Sequence, residues 1–162
     1  MSFFSDQAKQ FQQMAANIET RLTNAGSTLD DATYADLEKQ RDALLDKVDA
    51  MITADIQATL DQLKVDQPRL AQCTASLNNA VNTLKKFDQI VAIVAAAVTL
   101  ATAIVSASPG AIASAVVGAE KAVTAALPKT NVVTMPTTKD TTGSSSGDVL
   151  AIAASEDSAE QK

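Results

Sequence analysis

A chain of 162 residues has room for one domain of ordinary size. Only 3% of it is aromatic and Trp is absent, so a core must be built from Ala, Val, Leu and Ile, which favours closely packed helices over a sandwich or barrel. A net charge of −6 without a basic stripe excludes the phosphate neutralisation that drives nucleic-acid binding, and the absence of His removes the usual general base and metal ligand.

The charge is unevenly placed. Residues 1–66 hold six Lys/Arg against twelve Asp/Glu, residues 67–127 hold four against two, and the segment from Pro128 is acidic again. Met1 to Asp6 has neither a basic region nor a long apolar stretch behind it, so no ordinary signal peptide is expected. The expected site of synthesis is the cytosol, with membrane association or export by a route that reads no such signal as the further destinations. One cysteine, Cys73, excludes an internal disulfide framework.

The first helix is expected over about Ser2 to Ala25. Its apolar positions, Phe4, Ala8, Phe11, Ala15, Ile18, Leu22 and Ala25, alternate by four and three and form a heptad seam, with Gly26 as the C-terminal cap. Ser27, Thr28, Asp30, Asp31 and Thr33 all have side chains suited to capping the next helix. That second helix is expected to run to about Val65 on the stripe Leu37, Leu44, Val48, Ile52, Ile56, Leu60 and Leu63, with an acidic outer face that reads as a solvated surface.

Asp66-Gln67-Pro68 supports two readings. Asp66 can cap a new helix with Pro68 in its first turn, or Pro68 can kink a continuous one; a break is favoured because a compact bundle hides more apolar area. A third helix is then expected from Arg69 to Ala107 on one seam, Leu70, Cys73, Leu77, Ala80, Leu84, Phe87, Val91, Val94, Val98, Ala101 and Val105, which makes a rod roughly 58 Å long. A fourth helix follows Ser108-Pro109 and spans Gly110 to Leu127. From Pro128 to Lys162, Thr, Ser, Gly, Pro and Asp dominate, a composition expected to stay disordered.

The chain is thus expected to be all-α: three or four long antiparallel helices in a bundle over residues 1–127, with an apolar hairpin at 88–127 and an acidic Ser/Thr-rich tail at 128–162. No enzymatic chemistry is expected. Gly110-Ala111-Ile112 is not followed by Gly-Lys-Ser/Thr, and Asp30, Asp31, Asp36 and Glu38 lack the alternation and turn glycine of a calcium loop. No cofactor, metal, nucleic acid or small-molecule substrate is implied. Cys73, on the seam, reads as a small buried hydrophobe.

Ile90 to Ala107 is the feature that points to function. The run has no charge, no amide and no aromatic, and it carries Ile90, Val91, Ile93, Val94, Val98, Leu100, Ile104 and Val105. Those eight side chains favour insertion into a bilayer by roughly 2 to 5 kcal/mol, and eighteen helical residues span about 27 Å against a hydrocarbon core of about 30 Å. Lys85 and Lys86 precede the run by one turn, where they would anchor it at an anionic headgroup layer. In the fourth helix Gly110, Ser114, Gly118, Ala122 and Ala126 recur every four residues, a stripe over which another helix can approach closely, while Glu120 and Lys121 oppose crossing as a monomer. So short a chain is expected to cover this hairpin less well than lipid or neighbouring subunits would.

An amphipathic helix pair carrying an Ala/Val-rich hairpin, here Ile90 to Leu127, resembles the bacterial α-helical pore-forming toxins: the multi-component haemolysin-type cytolysins and the hydrophobic hairpin of pore-forming colicins. The resemblance is of architecture and covers about a quarter of the chain. It implies a soluble form with the hairpin hidden and a membrane form with it released. The expected function is that of a small membrane-interacting component of a pore-forming or permeabilising system, oligomeric and partnered by lipid. The alternative is a soluble structural or adaptor bundle whose seams pair with partner helices. A third reading is a coat protein lying on a lipid or polymer inclusion.

Overall fold

The computed structural model describes residues 3–53 and 62–127. Five α-helices make up most of these residues, and no strand occurs among them: α1 (Phe3–Ala25), α2 (Asp31–Met51), α3 (Gln67–Thr83), α4 (Phe87–Val105) and α5 (Pro109–Ala126). The chain is an all-α bundle. The expected tail, and Ile56 and Leu60 of the expected second stripe, lie outside the described residues.

α1 is the most faithful product of its sequence pattern. All seven seam residues are buried, and Gln7 and Met14 join them on the same face. Gly26 takes φ +49° and opens a short 3₁₀ turn, Gly26–Thr28, which reverses the chain. The Asp30 carboxylate then accepts the Thr33 amide at 2.9 Å and starts α2. The Thr33 side chain first, and its amide second, hold Asp30 below its ordinary carboxylate value.

α2 buries Leu37, Leu44, Val48 and Met51 and stops there. The expectation that it would run to Val65 is therefore wrong. Ile52 turns outward at 53% exposure, Thr53 Oγ1 folds back onto Asp49 O, and residues 62–66 are not helical. A stripe position without a partner surface gives a helix no reason to continue, because packing and not propensity sustains most protein helices.

The break at Pro68 is as expected. Asp66 accepts the Arg69 amide at 3.1 Å and Pro68 sits in the first turn of α3.

The 58 Å rod does not form. α3 ends at Thr83, Leu84 takes an extended conformation (φ −65°, ψ 139°), and α4 begins at Phe87. Thr83 Oγ1, on the last residue of α3, donates to Asn79 O at 2.7 Å. With neither Gly nor Pro at 84–86, the break is set by tertiary packing. A straight continuation would carry the apolar half beyond α1, whose 23 residues reach only about 35 Å. The bend instead lays α4 against α2, α3 and α5. It also resets the buried face. The heptad reading placed Phe87, Val91, Val98 and Val105 inward, but these are half-buried. The core side is formed by Ile90, Ile93, Val94, Ala97, Leu100, Ala101, Ala103 and Ile104.

α5 starts one residue earlier than expected, at Pro109, after Ala107 takes the left-handed φ of 50° in the reversal. α1 packs against α2 and α3, and α5 against α4 and α3. One continuous core runs through all five helices.

Candidate functional site

The hairpin α4–α5 is the candidate site. Residues 89–119 carry no charged side chain, and α4 is the one helix among the described residues long and apolar enough to cross a membrane, with a mean hydropathy of 2.0. Length and composition alone give that result, and the central helix of a soluble bundle shares it.

The fold sorts the run by side-chain size. Ile90, Ile93, Val94, Leu100 and Ile104 are completely buried. Val91, Val98 and Val105 are partly covered, while Ala92, Ala95, Thr99 and Thr102 face outward. The expectation that one short chain would leave these large side chains for a neighbour is therefore corrected for the first five. Three helices flank α4, and a helix that is apolar all round is covered when it lies in the middle of its bundle. The outward threonines return their hydroxyls to their own backbone, Thr99 to Ala95 O at 2.9 Å and Thr102 to Val98 O at 2.8 Å. Their outer surface is thereby made less polar than its composition suggests.

Between α4 and α5, on this outer side, runs a groove of about 530 Å³. Its walls are Ala, Thr, Ser and Gly only, including Ala96, Thr99, Ala103, Ser114 and Gly118. Of the expected small-residue stripe, Gly110, Ser114 and Gly118 are exposed, Ala122 is half-buried and Ala126 is buried. Only Ser114 and Gly118 line the groove. A methyl group added to Gly110 or Gly118 would meet nothing within 4 Å. The bundle's own packing therefore does not use these glycines; α5 turns Ile112, Ala115, Val116 and Ala119 inward instead.

Charges gather at the edges of the hairpin. Lys85 and Lys86 are exposed at the root of α4, in the non-helical link from α3. On α5, Glu120 is held by Arg69 of α3: Arg69 Nε donates to Oε1 at 2.9 Å and Nη2 to Oε2 at 2.7 Å. The guanidinium lowers the Glu120 carboxyl below its ordinary value. Nearby, Cys73 is buried, with Sγ 3.8 Å from Val116 O, and desolvation pushes its thiol up to about 11. No cluster of three His, Cys, Asp or Glu side chains that could hold a metal occurs among the described residues.

Sequence reading did not reach Arg69 as the residue that ties α5 to the rest of the bundle. The two partners are 51 positions apart, and no local pattern joins them. The groove was legible only as a stripe on one of its two walls. No family model, curated protein or solved structure matches the chain.

Proposed function

We propose that this is a non-enzymatic, membrane-interacting helical protein that stores an apolar hairpin in a soluble bundle and releases it to lipid, as a small component of a permeabilising system. The observation that carries this reading is the uninterrupted uncharged stretch 89–119, wound as a helix of bilayer-spanning length and its antiparallel partner. Lipid tails are as apolar as the core the hairpin leaves, so the transfer trades one dry environment for another. The connectivity suits such a release. α1 keeps its contacts with α2 and α3 when α4 and α5 depart, and the extended link at 84–86 supplies a pivot. Glu120 and Lys121, in the second half of α5, oppose full crossing by a monomer; assembly of several hairpins through Ser114 and Gly118 would shelter them.

The groove favours a second reading. A trough of small side chains is also what a partner helix needs for close approach, so a soluble adaptor that docks such a helix there would leave the bundle intact.

Vesicle flotation with dye release separates the two. Under the membrane reading the wild type floats and releases dye, and Ala95→Asp, which puts a charge on the exposed face of α4, abolishes both without lowering the melting temperature. A wild type that stays in the aqueous fraction with every lipid composition and pH rules out the membrane reading.

A further inference from the structure

The chain has three arginines, and neighbouring helices neutralise two of them: Arg41 by Glu19 and Arg69 by Glu120. Arg21 differs. Among the described residues no carboxylate lies within ion-pair distance of it. Its Nη2 donates instead to the main-chain oxygen of Asn82, near the end of α3. A guanidinium has five N–H donors in a fixed fork, so this bond orients the group and leaves donors over.

Arg21 lines a cleft of about 450 Å³ with Asn17, Thr20, Asn24, Asn82 and Phe87. Asn17 is itself fixed, its Nδ2 donating to Asn78 Oδ1 at 2.9 Å. Lys85 and Lys86, both exposed, lie in the chain between Asn82 and Phe87, two of the residues that line the cleft. No acidic residue lines it: Asp88, next to Phe87, lines a separate hollow with Asp36 of α2, and Glu19, next to Thr20, is paired with Arg41. An acidic chain thus carries Arg21 in the cleft, and Lys85 and Lys86 in the link that adjoins it in sequence, with no ion pair to any of the three among the described residues.

We propose, resting on the membrane reading above, that this cleft binds a phosphate group: the phosphodiester of an anionic phospholipid headgroup, or a free phosphate monoester. The Arg21 fork matches phosphate oxygens, the Asn amides add neutral donors, and the lysines add point charges. Seated there, a headgroup lies where α4 would enter the hydrocarbon, so headgroup recognition and hairpin entry share one end of the helix.

Two measurements on the full chain test this. One is an NMR titration of amide shifts with glycerol 3-phosphate. The other is flotation on phosphatidylcholine vesicles with and without phosphatidylglycerol. The variants are Arg21→Gln and, because Arg21 also contacts Asn82, the exposed pair Lys85→Gln with Lys86→Gln. The site predicts saturable shifts at Asn17, Arg21, Asn82 and Phe87 that vanish in Arg21→Gln. It also predicts flotation that needs phosphatidylglycerol, weakens about fivefold per charge removed, and fades with salt. Absence of shifts, with flotation equal on both vesicles, overturns the site and leaves the membrane reading standing. Shifts at the cleft without flotation on any vesicle support the phosphate site, assign it to a free phosphate, and remove the membrane reading.

Discussion

Arg69 and Glu120 face each other as a two-pronged pair, with contacts of 2.9 and 2.7 Å joining the first turn of α3 to α5. It is one of two ion pairs between different helices among the described residues; the other, Arg41 with Glu19, joins α2 to α1. Both side chains of the Arg69 pair are close to half exposed, so water and salt screen it, and its effect on stability is small. Its interest lies in its sign. A carboxyl whose folded value is depressed contributes stability above its unfolded value, ordinarily near 4.5, and loses that contribution as pH falls through the folded value. Asp30, lowered by the Thr33 side chain and amide, acts in the same direction.

The wild type should therefore melt at lower temperature as pH is taken from neutrality to below 4, and Glu120→Gln should flatten part of that fall. Dye release, if the hairpin must part from α3, should rise over the same acid interval in the wild type and change less in Glu120→Gln. Melting curves and release rates across that pH range check both. An unchanged pH slope in the variant would show that the pair does not contribute to it.

The reset face of α4 makes a sharp contrast between adjacent residues. Leu100 is completely buried and Thr99 is exposed. Leu100→Ala should cost about 2–5 kcal/mol, through lost transfer energy and the cavity left behind. Thr99→Ala should fall within about 0.5 kcal/mol of the wild type. Denaturant unfolding of the two variants measures the difference. A strict heptad continued from α3 assigns the large loss to Val98, which is only half-buried.

Periodicity conveys burial only where a helix packs along its whole length. The seam of α1 was legible because its whole length packs on one side, so spacing and burial agree residue by residue. The Asp66 cap was legible because the signal is local: an acceptor side chain three residues ahead of the amide it binds, with Pro68 between. The ends of α2 and α3 were not. Nothing in Ile52-Thr53 or Leu84-Lys85-Lys86 stops a helix, and periodicity runs through both. Both elements end where their partner surface ends, and that is a property of the assembled bundle. The candidate hairpin was legible from composition. Its cover was not, because it depends on α4 lying between α2, α3 and α5.

Gly118 separates folding from assembly. In the bundle it sits mid-helix with open space over its Cα, so Gly118→Ala should stabilise the folded bundle by about 0.5–1 kcal/mol through helix propensity alone. Gly118→Leu should also fold, yet it fills the groove and should suppress dye release or partner-helix docking. Thermal melts beside release assays check this; a Gly118→Leu variant that folds and functions normally would show that the groove is not used.

Cys73 should be inert in the native state. It is buried, and its thiol is raised to about 11, so at pH 8 almost none of it is thiolate. A thiol reagent should modify it slowly in buffer and promptly in denaturant. If α5 leaves α3 at the membrane, vesicles should accelerate labelling, because Sγ lies against Val116 O of the departing helix. Equal rates with and without vesicles would count against that separation.

The stored hairpin itself can be read with one probe. The chain has no Trp, so Ala95→Trp places a single indole on the exposed face of α4. With vesicles of phosphatidylcholine and phosphatidylglycerol brominated on their acyl chains, the emission should shift to the blue and be quenched, as an indole in hydrocarbon requires. Emission that stays at its aqueous wavelength, unquenched at every lipid ratio and pH, would contradict the release of α4 into lipid.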